Sequence, residues 1–324
     1  MEEKYSRVRL DFKSRVISFN EQDRTFTSEL TLDSERYEWQ EHGGEKYLYD
    51  KFDNTLISEK NFKKLISQIP GKPIYAENKE VDDISTYIRV RCNLLEKRLL
   101  EQGEIELDTH EKDKSEQLLQ QIGNGRHGFV LMCVDIAKST KLSTQLPLDQ
   151  YAKMMGEVIS EIGEISTKFH GQVLKNTGDG VIIYFSEPSF MLKNDLAIEC
   201  ALAIRQLVYH GINQILLKHD YPALGIRIGV DSGDAYVRMV GSLESKRHKD
   251  ILGSTVNLAT KIQSVGEPGD ILIGEVTERN LHSSWRQMFS QIDTPPKEWY
   301  KNNEGQSYKV FRLITGNKDG RILF

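Results

Sequence analysis

From Gly128 onward, short apolar runs alternate with longer segments whose apolar residues recur at helical spacing. Residues 129–136, FVLMCVDI, form an unbroken apolar run of strand length that ends at Asp135. Residues 149–171 then place Met154, Met155, Val158, Ile159, Ile162, Ile165 and Phe169 on one helical face, with Gly171 beyond its end. Residues 171–185, GQVLKNTGDGVIIYF, read as two strands about a tight turn. A second helix is expected over 195–217 and a second hairpin over 225–241, turning at Asp231-Ser232-Gly233-Asp234. A third helix is expected over 254–265, with strands at 269–274 and 307–313. The order strand, helix, strand, strand, helix, strand predicts an α+β split βαβ layout. Its sheet is mostly antiparallel, with helices on one face.

The first 108 residues have a different texture, highly charged and with weaker periodicity. RVRLDF (7–12), RVISF (15–19) and TFTSELTL (25–32) alternate with period two and read as short strands. Asp82–Gln102 carries Ile84, Tyr87, Ile88, Leu94, Leu95, Leu99 and Leu100 at helical spacing. A polar stretch and a short helix ending at glycine follow in 105–125. These shifts divide the chain into an amino-terminal accessory region (1–108), a linker helix and loop (109–127), a main domain (128–314) and a tail (315–324).

Composition narrows the class. The chain has 324 residues, 38% hydrophobic and 28% charged, with a formal net charge of −5. That charge excludes a generic nucleic-acid binder, though not a local basic pocket. Cys92, Cys133 and Cys200 lie far apart with no zinc-type spacing, as expected of reduced thiols in a cytoplasmic protein. No apolar run reaches the ~18–20 residues that span a bilayer, and the start has no apolar leader core.

The candidate chemistry begins with Asp179, a carboxylate between two glycines at the first hairpin tip. In a split βαβ layout the strand ending at Asp135 neighbours that hairpin, so the two carboxylates can meet at one edge. Two carboxylates on rigid strand ends can bind Mg²⁺ or Mn²⁺ and leave positions for phosphate oxygens, which suits two-metal displacement at phosphorus. The turn through Ala137, Lys138, Ser139 and Thr140 leads toward a helix, and its amides can cradle phosphate. Either aspartate alone is ordinarily turn chemistry. A third group, Asp250, Gly253, Asn257 and Lys261, lies in KDILGSTVNLATKI. Asn257 and Lys261 are four residues apart and share a helix face, more often a solvated one. There an amide and a cation can hold a ribose and a developing phosphorane charge.

Together VDIAKST, LKNTGDG, RIGVDSGDAYV and DILGSTVNLATKI resemble the class III nucleotidyl cyclase catalytic domain, in the family's order and over about Gly128 to Leu313. The resemblance implies a ferredoxin-like cyclase domain that converts a nucleoside triphosphate to a 3′,5′-cyclic nucleotide and pyrophosphate. It implies two divalent metal ions, Mg²⁺ or Mn²⁺, held by Asp135 and Asp179 with the Ile136 carbonyl assisting. Lys175 and Asp250 match the base-reading positions and Asn257 the ribose-orienting one. Lys301 matches a phosphate-binding lysine loosely. Two departures stand out. Lys261 occupies the place where the family usually has an arginine stabilising the transition state, so the charge stays but the planar fork is lost. Lys138 stands where many members have glycine, and is expected to point to solvent. The resemblance further implies an obligate head-to-tail homodimer, with metal carboxylates from one protomer and base-reading groups from the other.

Lysine only donates and ionised aspartate only accepts, so Lys175 and Asp250 fit adenine's N1 and amine. Cytosine shows the same edge, and guanine reverses it. Adenylate cyclase is slightly favoured on this chemistry. The alternative is the bacterial pyrimidine cyclase branch, which makes cyclic CMP or cyclic UMP in anti-phage signalling and which Lys261 and the unfamiliar amino-terminal region also resemble. A further alternative keeps the fold as an inactive nucleotide-binding sensor. The Asp82–Gln102 helix is expected to couple the accessory region to the catalytic domain.

Overall fold

A computed structural model describes residues 10, 12–20, 25–51, 54–67, 84–100, 118–186, 192–241, 247–292, 300–301 and 305–314. The chain divides into two compact units, Met1–Asn78 and Lys79–Phe324.

In the first unit, β1 (Phe12–Asn20) pairs antiparallel with β2 (Thr25–Leu32). β3 (Tyr37–His42), β4 (Glu45–Asp50) and β5 (Thr55–Ser58) form an antiparallel meander, followed by α1 (Glu59–Ser67). Leu10, Tyr37, Leu48 and Ile57 make a small core. Arg36 is buried beside it and holds Asp50 through two hydrogen bonds of 2.9 and 2.7 Å. The strands expected at 15–19 and 25–32 lie within β1 and β2. Of the strand expected over 7–12, only Leu10 and Phe12 are among the described residues. The three strands of the meander were not anticipated, because their faces are exposed except at a few positions and alternate weakly.

The second unit opens with α2 (Ile84–Leu100), close to its expected bounds. Next come a helical turn at 118–121, β6 (Gly125–Ala137), α3 (Ser139–Gln145), α4 (Leu148–Thr167), β7 (Gln172–Asn176) and β8 (Gly180–Phe185). The second expected helix is α5 (Leu192–Gln206), a π-helical turn (Leu207–Ile212) and α6 (Asn213–Lys218) in continuous succession. Then follow β9 (Gly225–Val240), β10 (His248–Leu252), α7 (Ser254–Ser264), β11 (Ile271–Gly274), α8 (Glu275–Asn280), α9 (Ser283–Arg286), β12 (Phe289–Gln291) and β13 (Val310–Leu313).

The sheet runs β12-β13-β11-β9-β6-β8-β7, with β10 also on β9. Every pairing is antiparallel except β11 with β9.

Two expectations need correction. Asp231-Ser232-Gly233-Asp234 is no turn: β9 passes straight through it, paired with β6 from Gly225↔Ala137 to Val237↔Gly125. Two of the polar residues that suggested a turn, Asp231 and Ser232, are buried and bonded instead. Asp231 accepts a hydrogen bond from the Tyr308 hydroxyl at 2.6 Å, and the Ser232 hydroxyl bonds Asn194 at 2.5 Å. The glycines serve helix packing. A Cβ at Gly229 would lie 2.4 Å from the Ala259 carbonyl of α7, and one at Gly233 2.7 Å from the Thr255 hydroxyl. Nor do the helices keep to one face. Val130, Met132, Val134 and Ile136 of β6 pack with residues of α2, α4 and α5. The alternate residues Phe129, Leu131 and Cys133 face Ala259 of α7 on the other side.

Helix α2 is fastened to α4 by charge. Arg91 bonds Glu161 at 2.7 and 3.0 Å, and Arg98 bonds both Glu157, at 2.5 Å, and Glu161. Glu161 is only 1% exposed. Two guanidinium groups supply the donors that its oxygens need in so dry a place.

Candidate active site

The two metal-type carboxylates meet where β6 ends beside the β7–β8 turn. Asp135 lies opposite Gly180 across the β6–β8 pair. At Gly180 a Cβ would fall 2.4 Å from the Val134 carbonyl oxygen, so only glycine lets the turn come so close. The Ile136 N–H donates to the Asp179 carbonyl at 3.0 Å and the Thr177 N–H to the Gly180 carbonyl at 2.9 Å, which pins the turn against the strand. Ser139, the first residue of α3, is buried, and its hydroxyl donates to Asp179 Oδ2 at 2.5 Å. Thr140 is exposed in the same turn. Lys138 is exposed, as expected, and has a φ of 61°. That left-handed conformation accounts physically for the glycine that the resemblance leads one to expect there.

Asp135 is bonded from two sides. Its strand partner Arg227 donates to Oδ2, and Gln263 of α7 donates to the same oxygen at 3.2 Å. Burial pushes its carboxyl up from the ordinary aspartate range and the charge of Asp179 adds to this, while Arg227 and Gln263 oppose it. Asp179 directly precedes Gly180, the residue paired with Asp135, so the two aspartates are adjacent across the β6–β8 pair. An all-oxygen donor pair fits Mg²⁺ or Mn²⁺, which complete their shells with water and phosphate oxygens. Ile136 could add its carbonyl, since its N–H is engaged by Asp179. No cluster of three or more His, Cys, Asp or Glu able to hold a metal occurs among the described residues.

A second group is spread over β7, β10 and α7. Lys175, half-exposed on β7, stands 3.6 Å from Asp250 Oδ2 on β10. The other oxygen of Asp250 accepts the Ile251 N–H at 2.8 Å, which fixes the carboxylate plane. Helix α7 buries Thr255, Leu258, Ala259, Ile262 and Gln263 and leaves Asn257 and Lys261 exposed. The Lys261 ammonium sits 4.6 Å above the centre of the Tyr300 ring. Lys301 is exposed next in sequence, its backbone bridged to Ser307. Among the described residues, no hydrogen bond or ion pair joins this group directly to Asp135 or Asp179.

Arg227 and Gln263 were not anticipated as site residues. Arg227 is a lone cation in the apolar run Gly225-Ile-Arg-Ile-Gly-Val230. That signal points to Asp135 only once the β6–β9 register is known. Gln263 shows no signal in sequence.

Comparison with known proteins decides the family. The model for the adenylate and guanylate cyclase catalytic domain matches residues 126–298, more than half of the chain. The chain belongs to this family. Its domain is a class III nucleotidyl cyclase domain, of a family of lyases. Among curated relatives, "Cytidylate cyclase" of Staphylococcus aureus is 29% identical over 189 residues, 57% of this chain and 43% of that protein. "Cytidylate cyclase" of Escherichia coli is 27% identical, covering 45% of this chain and 34% of that protein. "Putative adenylate cyclase 3" of Rhizobium meliloti is 30% identical, covering 35% and 16%. The chain thus spans less than half the length of these relatives. The fold matches two solved structures that it covers almost completely. The guanylyl cyclase Cya2 has a TM-score of 0.53 at 20% identity, with 62% of this chain and 98% of that chain covered. The adenylyl cyclase CyaB from P. aeruginosa has a TM-score of 0.52 at 22% identity, with 61% and 99% covered. No described helix is long and apolar enough to cross a membrane.

Proposed function

We propose that the protein is a nucleotidyl cyclase that closes a nucleoside triphosphate to its 3′,5′-cyclic monophosphate, releasing pyrophosphate. The observation that carries this reading is the convergence of Asp135 and Asp179 at one glycine-permitted edge. Bound there, divalent cations supply acidity at the sugar 3′-hydroxyl and neutralise triphosphate charge. The 3′-oxygen forms a bond to the α-phosphorus as the bond to pyrophosphate breaks, and the hydroxyl proton leaves. In this reading Ser139 fixes the Asp179 carboxylate through its hydrogen bond, and the exposed Thr140 turn and Lys301 face the phosphates. Asn257 orients the ribose, and the Lys261 charge meets the phosphorane.

The base is read by Lys175 donating to a ring nitrogen and Asp250 accepting from the adjacent amine. Both cytosine and adenine satisfy that pattern. Two relatives named cytidylate cyclase support CTP as the first substrate, with ATP the second reading on the same polar code. Because no hydrogen bond or ion pair joins the metal and base groups among the described residues, we assign them to opposite protomers of a head-to-tail homodimer with two shared sites. Purified protein is to be incubated with Mn²⁺ and each of the four triphosphates, with products separated by chromatography and pyrophosphate measured. Cyclic CMP is expected. Product from GTP alone overturns the base assignment. Binding of nucleotide without pyrophosphate from any triphosphate establishes the inactive sensor instead.

A further inference from the structure

Lys261 differs from an arginine in a way that the chain must answer. An ammonium on a four-carbon stem has no planar fork to aim it, and ordering it costs side-chain entropy. On an exposed stretch of α7 it would ordinarily sweep through solvent. Here it is held: its nitrogen lies 4.6 Å above the centre of the Tyr300 ring, where the negative face attracts a cation.

The ring is itself fixed. It packs against the cluster of Leu258, Ile262, Leu272, Tyr308 and Val310. Two of those residues, Leu258 and Ile262, lie on the same helix as Lys261. The Tyr300 carbonyl accepts the Tyr308 N–H at 2.7 Å, and the next residue, Lys301, bridges to Ser307. The platform is thus tied to the helix and to the chain leading into β13.

We propose that Tyr300 is a positioning residue for catalysis. Its ring face restricts the Lys261 ammonium to one region above the helix, supplying the preorganisation that an arginine fork supplies by its own rigidity. The same short segment sets Lys301 beside the platform, so the two cations are placed by one element. This inference rests on the reading of Lys261 as the group that meets the phosphorane charge. It adds a residue and a physical reason why lysine suffices there.

The test uses the full-length protein and the triphosphate that it cyclises. Tyr300→Leu keeps apolar bulk against the core but removes the ring face. Its kcat should fall roughly five- to thirty-fold, the range of a cation–π contact of ~1–2 kcal/mol, with KM changed less than about two-fold. Tyr300→Phe should stay within about two-fold of wild type. Pentafluorophenylalanine at position 300 keeps the ring's shape and reverses its face charge, and should behave like the leucine variant even if leucine impairs folding. With Lys261→Arg as background, Tyr300→Leu should cost less than about two-fold, because the fork aims itself. A Tyr300→Leu or fluorinated enzyme with unchanged kcat overturns the proposal if Lys261→Ala still loses about 100-fold or more. Unchanged kcat in Lys261→Ala overturns the reading beneath it, and with it the role of Tyr300.

Discussion

Asp250 apart, which is as enclosed as Asp135, the two halves of the candidate site are built in opposite ways. Asp135 and Asp179 are enclosed by their own chain: one is bonded by Arg227 and Gln263, the other by Ser139, and the backbone between them is locked by Ile136 and Gly180. Lys175, Asn257 and Lys261 are exposed, and the first and last have one light partner each. Carboxylates that must gather dications need exact placement before any ligand arrives, so the protomer supplies the whole cradle. Groups that read a base and meet developing charge need only a surface that a second copy can face. The contrast is what the proposed shared site requires of a single chain.

The sharpest way to break that contrast is to neutralise the enclosed half. Asp135→Asn or Asp179→Asn should reduce turnover by roughly 10³-fold or more in a kinetic assay, the scale of losing metal-assisted charge stabilisation. Mixing a chain lacking both aspartates with a chain altered at Lys175 and Asp250 should recover activity. Random pairing makes about half of the dimers mixed, each with one intact site, so about a quarter of wild-type rate is expected. A mixture that stays inactive while mixed dimers form refutes the division between protomers.

A smaller effect is expected from the support of the cradle. Ser139→Ala removes a hydrogen bond to a charged oxygen, a contribution of ~1.5–3 kcal/mol. Turnover at limiting Mn²⁺ should fall about ten-fold or more, with part of the loss recovered at high Mn²⁺. Equal losses at all metal concentrations would show that the hydroxyl does not hold a ligand in place.

The buried Asp231 offers a pH measurement in the core, where it holds the Tyr308 that supports Tyr300. Burial pushes its carboxyl up to about 7 against the ordinary 3.8, with the Tyr308 hydroxyl opposing. A carboxyl raised in the folded state binds its proton more tightly there than when unfolded. Its contribution to stability is therefore fully present below about pH 4 and falls as pH rises to about 7. Thermal melting of Asp231→Asn should show a shallower decline from pH 5 to 8 than the wild type. An unchanged slope would mean that other groups govern it. The smallest expected effect is at Lys138. Glycine relieves the left-handed strain, and Lys138→Gly should raise the melting temperature by about 2 °C, net of the entropy glycine adds to the unfolded chain.

Much of the second unit was legible because its helices and central strands are two-sided objects with strong periods. The buried residues of α4 repeat at helical spacing, and β8 and residues 129–134 of β6 are unbroken apolar runs. Asp179 between its glycines was legible for the same reason, since tight turns need particular residues. What failed was local reading of β9. Asp231-Ser232-Gly233-Asp234 carries turn residues for two tertiary reasons, buried hydrogen bonds and the close approach of α7, and neither leaves a mark in neighbouring positions. β10 was hidden within a stretch read only for its chemistry. Arg227 was invisible as a partner of Asp135, because the residues are 92 apart and meet only through strand register.

The wide turn at Leu207–Ile212 has a consequence far from itself. A π turn amounts to an α-helix carrying one additional residue, and one residue rotates everything after it by about 100°. The first residue beyond it, Asn213, grips Leu224 from both sides, donating to its carbonyl at 2.9 Å and accepting its N–H at 2.8 Å. Leu224 directly precedes the strand that carries Arg227 to Asp135. Trimming the extra residue would swing the Asn213 amide away from its grip, and the starting point of that strand would lose its anchor. A single surplus residue in a distant helix thus aims the amide that clasps the start of the strand carrying Arg227.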